Sequence, residues 1–272
     1  MTAHESALDP QVFKLYTRYQ KDVHHDPDPF EVSQANNRDK MEHDDEEVTF
    51  SLAELDWGNA PSSFVDRVNP MLQDLCREYN EDLEQSILSS YYSFYQFLVE
   101  GPFPLEFDAP MGYIQGYGNY HQHYKVGDLL IAVGVVDILP SGLYSVYLFY
   151  DPSFSHKLVA LGKYAILKEI EYTQKYLQKP YYYLGYYIES CQKMKYKAEY
   201  KPSQLLCPQY HKWVDAESAL TKLKQTPRHV CPFVDNRTDE AVVGLENESR
   251  NMDHVLQPVS YTHLTLPTKR IV

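Results

Sequence analysis

Apolar positions recur at helical spacing near the start of the chain. Val12, Leu15, Tyr16, Tyr19 and Val23 fall at i, i+3, i+4, i+7 and i+11, which is one face of a short helix. The run His24-His25-Asp26-Pro27-Asp28-Pro29 stops it, because proline removes an amide donor and restricts the residue before it. Periodicity is then lost from residue 31 to about residue 60, a polar, acidic stretch that predicts a solvated, poorly ordered segment. A second stripe, Leu72, Leu75, Tyr79, Leu83 and Ile87, predicts a helix with Asn69 as N-cap and Pro70 in its first turn. It runs on, or breaks, before Phe94, Phe97 and Leu98, and Gly101-Pro102 ends it.

The pattern then changes period. After a glycine-punctuated entry from Gly112 to Gly118, residues 129–139 form an unbroken apolar run with Gly134 as a candidate bulge. A Pro140-Ser141-Gly142 turn leads into a strand over 143–150. Val159, Gly162, Ile166, Ile170, Thr173 and Leu177 step by three or four, so residues 157–177 predict a helix with one side on a sheet. Residues 181–188, YYYLGYYI, return to a strand. Strand–helix–strand at this length implies a right-handed crossover and a parallel pair. The expected fold is therefore α+β, a mixed sheet with a β-β-α-β core and flanking helices, closed by a helix over about 215–223. Residues 260–272, SYTHLTLPTKRIV, show neither period and are set aside as a translated adaptor. The boundaries that follow are an N-terminal helix in 1–30, an acidic insert with a helix in 31–92, the main domain in 93–235, and a disordered tail in 236–272.

Charge changes this picture. The net charge of −13 argues against a nucleic-acid partner until it is resolved along the chain. Residues 26–60 hold eleven Asp/Glu against two Lys/Arg, and residues 121–231 hold fourteen Lys/Arg against nine Asp/Glu. An acidic segment masks a mildly basic body. No run of about 18 apolar residues is present, so no membrane partner is expected. The opening residues show no basic-then-apolar leader, which leads to the expectation of a cytoplasmic or nuclear home. Cys76, Cys191, Cys207 and Cys231 form no Cys-x-x-Cys pair and are expected as reduced, inert thiols.

Three groups of residues could carry chemistry. In CQKMKYKAEYKP, residues 191–202, lysines alternate with Met194, Tyr196 and Tyr200. In an extended segment Lys193, Lys195 and Lys197 would share one side, suited to phosphates, with Tyr196 suited to stacking on a base. The plainer reading is a solvated edge strand kept from aggregating by its lysines. Asp137 interrupts an apolar run and Asp151 ends one. A buried carboxylate needs a partner, and a guanidinium forks well onto one; for Asp151 a turn before Pro152 is the competing role. His121 and His123 form a His-x-His pair. With no third ligand in view, a proton acceptor or a hydrogen-bonded structural histidine explains them better than a metal.

Two long segments together resemble a known family. GYGNYHQHYKVGDLLIAVGVVDILPSGLYSVYLFYDP and YYYLGYYIESCQKMKYKAEYKPSQLLCP are similar to the eukaryotic arginyl-tRNA–protein transferases over about residues 116–208, with fainter echoes at 13–29 and 94–102. The resemblance implies a GNAT-like acyltransferase fold and transfer of arginine from Arg-tRNA to the α-amine of proteins with N-terminal Asp or Glu, in the N-degron pathway that leads to ubiquitin conjugation. It implies Arg-tRNA and such proteins as partners, with the chain as the C-terminal catalytic part. The family's N-terminal cysteines, which hold a metal or cluster, have no counterpart here, so no cofactor is expected in this chain.

On that resemblance, Asp137, Asp151 and Tyr150 are the expected contacts of the arginyl group, and Lys193, Lys195, Lys197 and Tyr196 those of the tRNA. His121 or Tyr187 is the expected acceptor of the amine proton, and the acyl end is expected where strands 143–150 and 181–188 splay apart. Two rivals remain. One is a fragment or paralogue that binds tRNA or a protein without catalysis. The other is a CoA-dependent N-acetyltransferase, opposed by the single glycine, Gly162, in SFSHKLVALGKY, where such enzymes need a Gly-rich pyrophosphate loop.

Overall fold

A computed structural model describes residues 1–31, 55–58, 60–101, 116–154, 160–207, 209–226 and 231–234, and the backbone of 266–271. The chain divides into two compact units, residues 1–178 and 179–272. The first ends with the 161–175 helix of the expected β-β-α-β series and the second begins with its last strand. Strands 143–150 and 181–187, for which the sequence predicts a parallel pairing, thus belong to different units.

The first unit opens with α1 (Ala3–Ala7), held by a capping box between Thr2 and Glu5. Next comes α2 (Pro10–Tyr19), whose N-cap Asp9 accepts the Gln11 amide and whose first position is proline. Of the predicted apolar face, Val12, Leu15 and Tyr16 lie in the core, joined by Phe13, while Tyr19 and Val23 are partly buried. The helix loosens into a π-helical turn over Gln20–His24 and ends at His25 in the left-handed region, φ 65°. The acidic stretch 32–54 lies outside the described residues.

The second predicted helix is two helices, and it starts earlier than expected. Helix α3 (Ser62–Cys76) runs through Pro70, and α4 (Glu81–Leu98) starts at Asn80, whose side chain accepts the Leu83 amide. Phe64 and Val68 extend the buried stripe upstream of Pro70, and tertiary packing of that stripe outweighs proline's cost within a helix. The true N-cap signal is Asn80, followed by Glu81, Asp82 and Glu84 in the first turn.

These helices share a core with the strands. Tyr16 packs edge-on to Phe149 and tilts against Phe94, and Phe94 in turn meets Phe13. Tyr91 is fully buried and donates to the Ala7 carbonyl at 2.8 Å, and Tyr95 to the Trp57 carbonyl at 2.6 Å. Described residues from 57 to 92, which the sequence reading assigns to an insert, therefore form part of this core; truncating a buried aromatic there costs about 3–5 kcal/mol.

Three antiparallel strands complete the unit: β1 (Gly118–Val126), β2 (Leu129–Leu139) and β3 (Gly142–Tyr150). The bulge falls at Val135/Val136 against β3, not at Gly134. Gly134 serves a different need, since a Cβ there would lie 3.1 Å from the buried Glu169 Oε1. Glu169 belongs to α5 (Leu161–Lys175), whose Leu161 packs with Ile131 and Ala132 of β2.

The second unit contains β4 (Tyr181–Tyr187), the one-turn α6 (Gln192–Lys195), a 3-10 turn over Tyr196–Glu199, β5 (Ser203–Leu206), β6 (Trp213–Asp215) and α7 (Ala216–Gln225). Its core gathers Tyr187, Leu205, Cys207, Ala219, Leu223 and Phe233. The last strand, β7 (Leu266–Ile271), pairs antiparallel with both β4 and β5. Residues 266–271, within the segment set aside for lack of a period, are thus a strand. Ladder pairing is made by the backbone, and Pro267, which cannot donate, sits where pairing is to β4 alone. The fold is α+β with the β-β-α-β order along the chain, as the sequence predicts. Among the described residues no helix is long and apolar enough to cross a membrane.

Candidate functional site

In β1, Asn119, His121 and His123 alternate onto one face, opposite Asp137, Val135 and Val133 of β2. This places two predicted residues, His121 and Asp137, on the face covered by α1 and α4. His121 is 1% exposed. Its Nδ1 lies 2.8 Å from the Ser6 hydroxyl and its Nε2 lies 3.0 Å from the Leu98 carbonyl. A carbonyl only accepts, so Nε2 carries the proton and Nδ1 accepts from Ser6. The Ser6 oxygen is also 2.7 Å from His123 Nε2, which donates in turn. Burial pushes the His121 pKa down to about 4, with His123 and His4 adding repulsion. Both of its nitrogens are bonded, so its geometry is that of an anchor between β1, α1 and α4, not of a proton acceptor open to substrate. His-x-His bridges a serine here rather than a metal.

The two acids found in apolar runs have partners within the unit. Asp137 is buried and accepts from the Asn119 amide at 3.1 Å. Burial raises its pKa, and the Asn119 bond offsets this only in part. Asp151 is buried and pairs with Arg18 Nη1 at 2.9 Å, while its other oxygen accepts the Ser153 amide at 2.9 Å. It is both the turn acid before Pro152 and a guanidinium acceptor, and the guanidinium is the chain's own. Tyr150 stacks edge-on against Tyr19, with ring centroids 4.9 Å apart.

The lysine segment is corrected by the structure. Residues 192–199 form helical turns, not an extended strand. At helical spacing Lys193 and Lys197 share a side and Lys195 faces away from it. The cause is local: the Met194 amide closes a turn on the Cys191 carbonyl at 3.0 Å. Lys193 and Lys195 are exposed, and Lys195 lies 3.8 Å from Glu189. Lys197 is half-buried, donates to the Tyr186 carbonyl at 2.7 Å, and has its pKa lowered by burial. Tyr196 meets Tyr200 edge-on. Tyr187 is buried and donates to Glu189; burial first, then that carboxylate, raises its pKa. The proton acceptor expected at this position therefore holds its own proton firmly.

Sequence reasoning missed the other polar cluster, at the end of α2. Gln20 Nε2 donates to the Tyr16 oxygen at 3.1 Å, and Gln20 Oε1 accepts from Tyr147 at 3.3 Å. His24 Nε2 also reaches the Tyr147 oxygen at 3.3 Å. Of these, Tyr16 and Gln20 border a cavity of about 320 Å³ lined by α2, the loop through Asp26, Pro27 and Pro29, and the serine face of α4. The available signal was the recurrence of Ser86, Ser89, Ser90 and Ser93 on the side opposite a buried aromatic stripe.

The family model for the C terminus of arginine-tRNA-protein transferase matches residues 11–207. The chain belongs to this family. The match covers both the α2 cluster and the lysine segment of this arginyltransferase-family member. Arginyl-tRNA–protein transferase 1 of Dictyostelium discoideum is 46% identical over 147 residues, 52% of this chain and 23% of that protein. Arginyl-tRNA–protein transferase 2 of Arabidopsis thaliana is 41% identical over 181 residues, 62% of this chain and 29% of the relative. An aspartate/glutamate leucyltransferase of Campylobacter jejuni is 41% identical over 96 residues, 35% of this chain and 39% of the enzyme. The chain thus spans about a quarter of the length of the first two relatives. Cys76 and Cys207 are buried, and Cys191 and Cys231 are partly buried. Among the described residues no three His, Cys, Asp or Glu side chains converge as metal ligands.

Proposed function

We propose that this chain is the aminoacyl-transferring part of an arginyl-tRNA–protein transferase. It moves arginine from Arg-tRNA to the α-amine of proteins that begin with Asp or Glu. The observation that carries this reading is the family match over residues 11–207. The acceptor is supported by the leucyltransferase relative, whose name specifies aspartate and glutamate. Two relatives that differ in the amino acid they transfer, arginyl and leucyl, share sequence with this chain. The aminoacyl-ester chemistry is then the common part, and donor choice is a local feature.

The chemistry asks little of a base. The incoming amine has a pKa near 8 and is partly neutral at cellular pH, and the ester is already activated. Alignment and stabilisation of the tetrahedral oxyanion are the main needs. Exposed Lys193 and Lys195, with Tyr196 between helical turns, supply phosphate and stacking contacts for the tRNA end. Such an enzyme works in the cytoplasm or nucleus, marking proteins for the N-degron pathway.

Labelled arginine on tRNA, offered with peptides beginning Asp, Glu or Ala, tests the reading. Label is expected on the first two only, with the chain alone or supplied with the N-terminal region of a full-length relative. Binding of Arg-tRNA with no transfer under either condition would replace it with the non-catalytic reading.

A further inference from the structure

We infer that the cavity between α2 and α4 receives the arginyl side chain, with its guanidinium on Asp26. The inference rests on the arginyl-transfer reading and gives it a donor pocket. At about 320 Å³ the cavity lies at the small end of the roughly 300–1,000 Å³ typical of ligand pockets. That suits one amino-acid side chain.

Among the described residues the lining is Tyr16, Thr17, Gln20, Asp26, two prolines and four serines, with no lysine, arginine or histidine among these. Asp26 is the charged group of the lining, and its carboxylate bonds to no side chain of the described residues. Cations on the same segment are already held. Arg18 pairs with Asp151, and Lys21 bonds to Asp28 at 3.2 Å and Glu31 at 2.7 Å. A phosphate would meet the carboxylate and find no cation among the described lining residues. A guanidinium finds an acid with a ring of hydroxyl acceptors around it.

The presentation of Asp26 is fixed by backbone. His25 takes the left-handed conformation, and the amides of His25 and Asp26 bond back to Lys21 and Gln20 at 3.2 Å each. Pro27 and Pro29 then stiffen the exit. The second pointer is Tyr16, more than nine-tenths buried and lining the cavity. Its oxygen already accepts from Gln20, so its own proton is left for a ligand oxygen. Gln20 cannot turn away, because Tyr147 holds its other end. One acid for a cation and one directed O–H donor for an oxygen describe the two ends of an arginyl ester, and a leucyl ester would leave Asp26 unpaired.

The test is titration of the full chain with L-arginine methyl ester and with L-norleucine methyl ester, followed by heteronuclear NMR or calorimetry. The arginine ester is expected to bind at least tenfold tighter than the norleucine ester. Asp26→Asn should weaken it at least tenfold, and Tyr16→Phe by a few-fold. Ser93→Leu, at an exposed position, should weaken it by occupying the rim. Equal binding of the two esters, or an Asp26→Asn variant that binds the arginine ester as tightly as the parent, would overturn the inference. A folded Asp26→Asn variant with unchanged KM for Arg-tRNA would also remove the pocket while leaving arginyl transfer standing. Ester binding lost in Asp26→Asn, from a parent that transfers nothing, would keep the pocket and remove the transferase reading.

Discussion

The end of the β1–β2 face and the cavity beside α2 hold the same kinds of group in opposite states. At the first, His121, Asn119 and Asp137 are buried and bonded to one another or to neighbouring helices. At the second, Asp26 is exposed and Tyr16 keeps a proton to give. The first region draws the eye in a sequence because polar residues interrupt apolar runs. Burial there is possible because each of these side chains found at least one partner within the chain, and a group with a partner is poor at holding a ligand. Ligand chemistry is carried better by groups whose partners are missing and whose backbone is fixed.

The largest expected effect breaks the comparison at His121. Its pKa falls from 6.5 in the unfolded chain to about 4 in the fold. Between those values the unfolded chain binds more protons, so stability falls as pH drops from about 6.5 to about 4 and is intact above that window. The full loss is on the order of 3 kcal/mol. Urea unfolding at pH 7 and pH 4.5 should show this slope. His121→Phe should flatten it while lowering stability at pH 7, because Ser6 and the Leu98 carbonyl lose their partner. An unchanged slope in that variant would assign the pH dependence to other groups.

A smaller effect is expected at Asp151. Arg18 is half exposed, and such pairs contribute roughly 0–1 kcal/mol. Asp151→Asn retains an oxygen for the Ser153 amide, so chemical denaturation should register a loss within that range. A loss several times larger would mean that the pair carries more of the α2–β3 contact than its exposure allows.

The smallest effect has the opposite sign. Asp137 has a raised pKa, so the folded state holds its proton to higher pH than the unfolded chain does. Stability from this group is present below the unfolded value of 3.8 and falls as pH rises through the raised value. Asp137→Asn should therefore stabilise by a few tenths of a kcal/mol at pH 7 and by nothing at pH 3. The new amide can also donate to the buried Asn119 oxygen, which has no partner among the described residues. Destabilisation at pH 7 in thermal unfolding would show that the ionised carboxylate is needed.

Strong periodicity made the α2 stripe, β2, β3, α5 and β4 legible within a few residues. The helices bury one side and β2 is buried along nearly its whole length, so pattern and structure agree there. The α3–α4 break was not legible, because Leu72 to Ile87 continues one helical stripe across residues 77–80 and only the Asn80 cap distinguishes two helices from one. The lysine segment misled because alternation of Lys and Tyr reads as a strand, whereas its turns are set by backbone bonds. Within the site, Asp137, Asp151 and His121 stand out in the sequence, but their bonds to other groups do not. Ser6, Arg18 and Leu98 lie far along the chain from the residues they hold, and only the fold brings them together. Asp26 stood in plain view ahead of Pro27 and Pro29 and read as punctuation.

Gly134 and Glu169 carry a consequence for sequence drift. The missing side chain on β2 leaves room for the carboxyl group on α5, with 3.1 Å between a would-be Cβ and Oε1. A Cβ gained at position 134 asks the residue at 169 to give by a few tenths of an ångström, and a larger side chain asks for more. Across homologues the two positions should therefore mutate as a pair, a covariance detectable without a single assay.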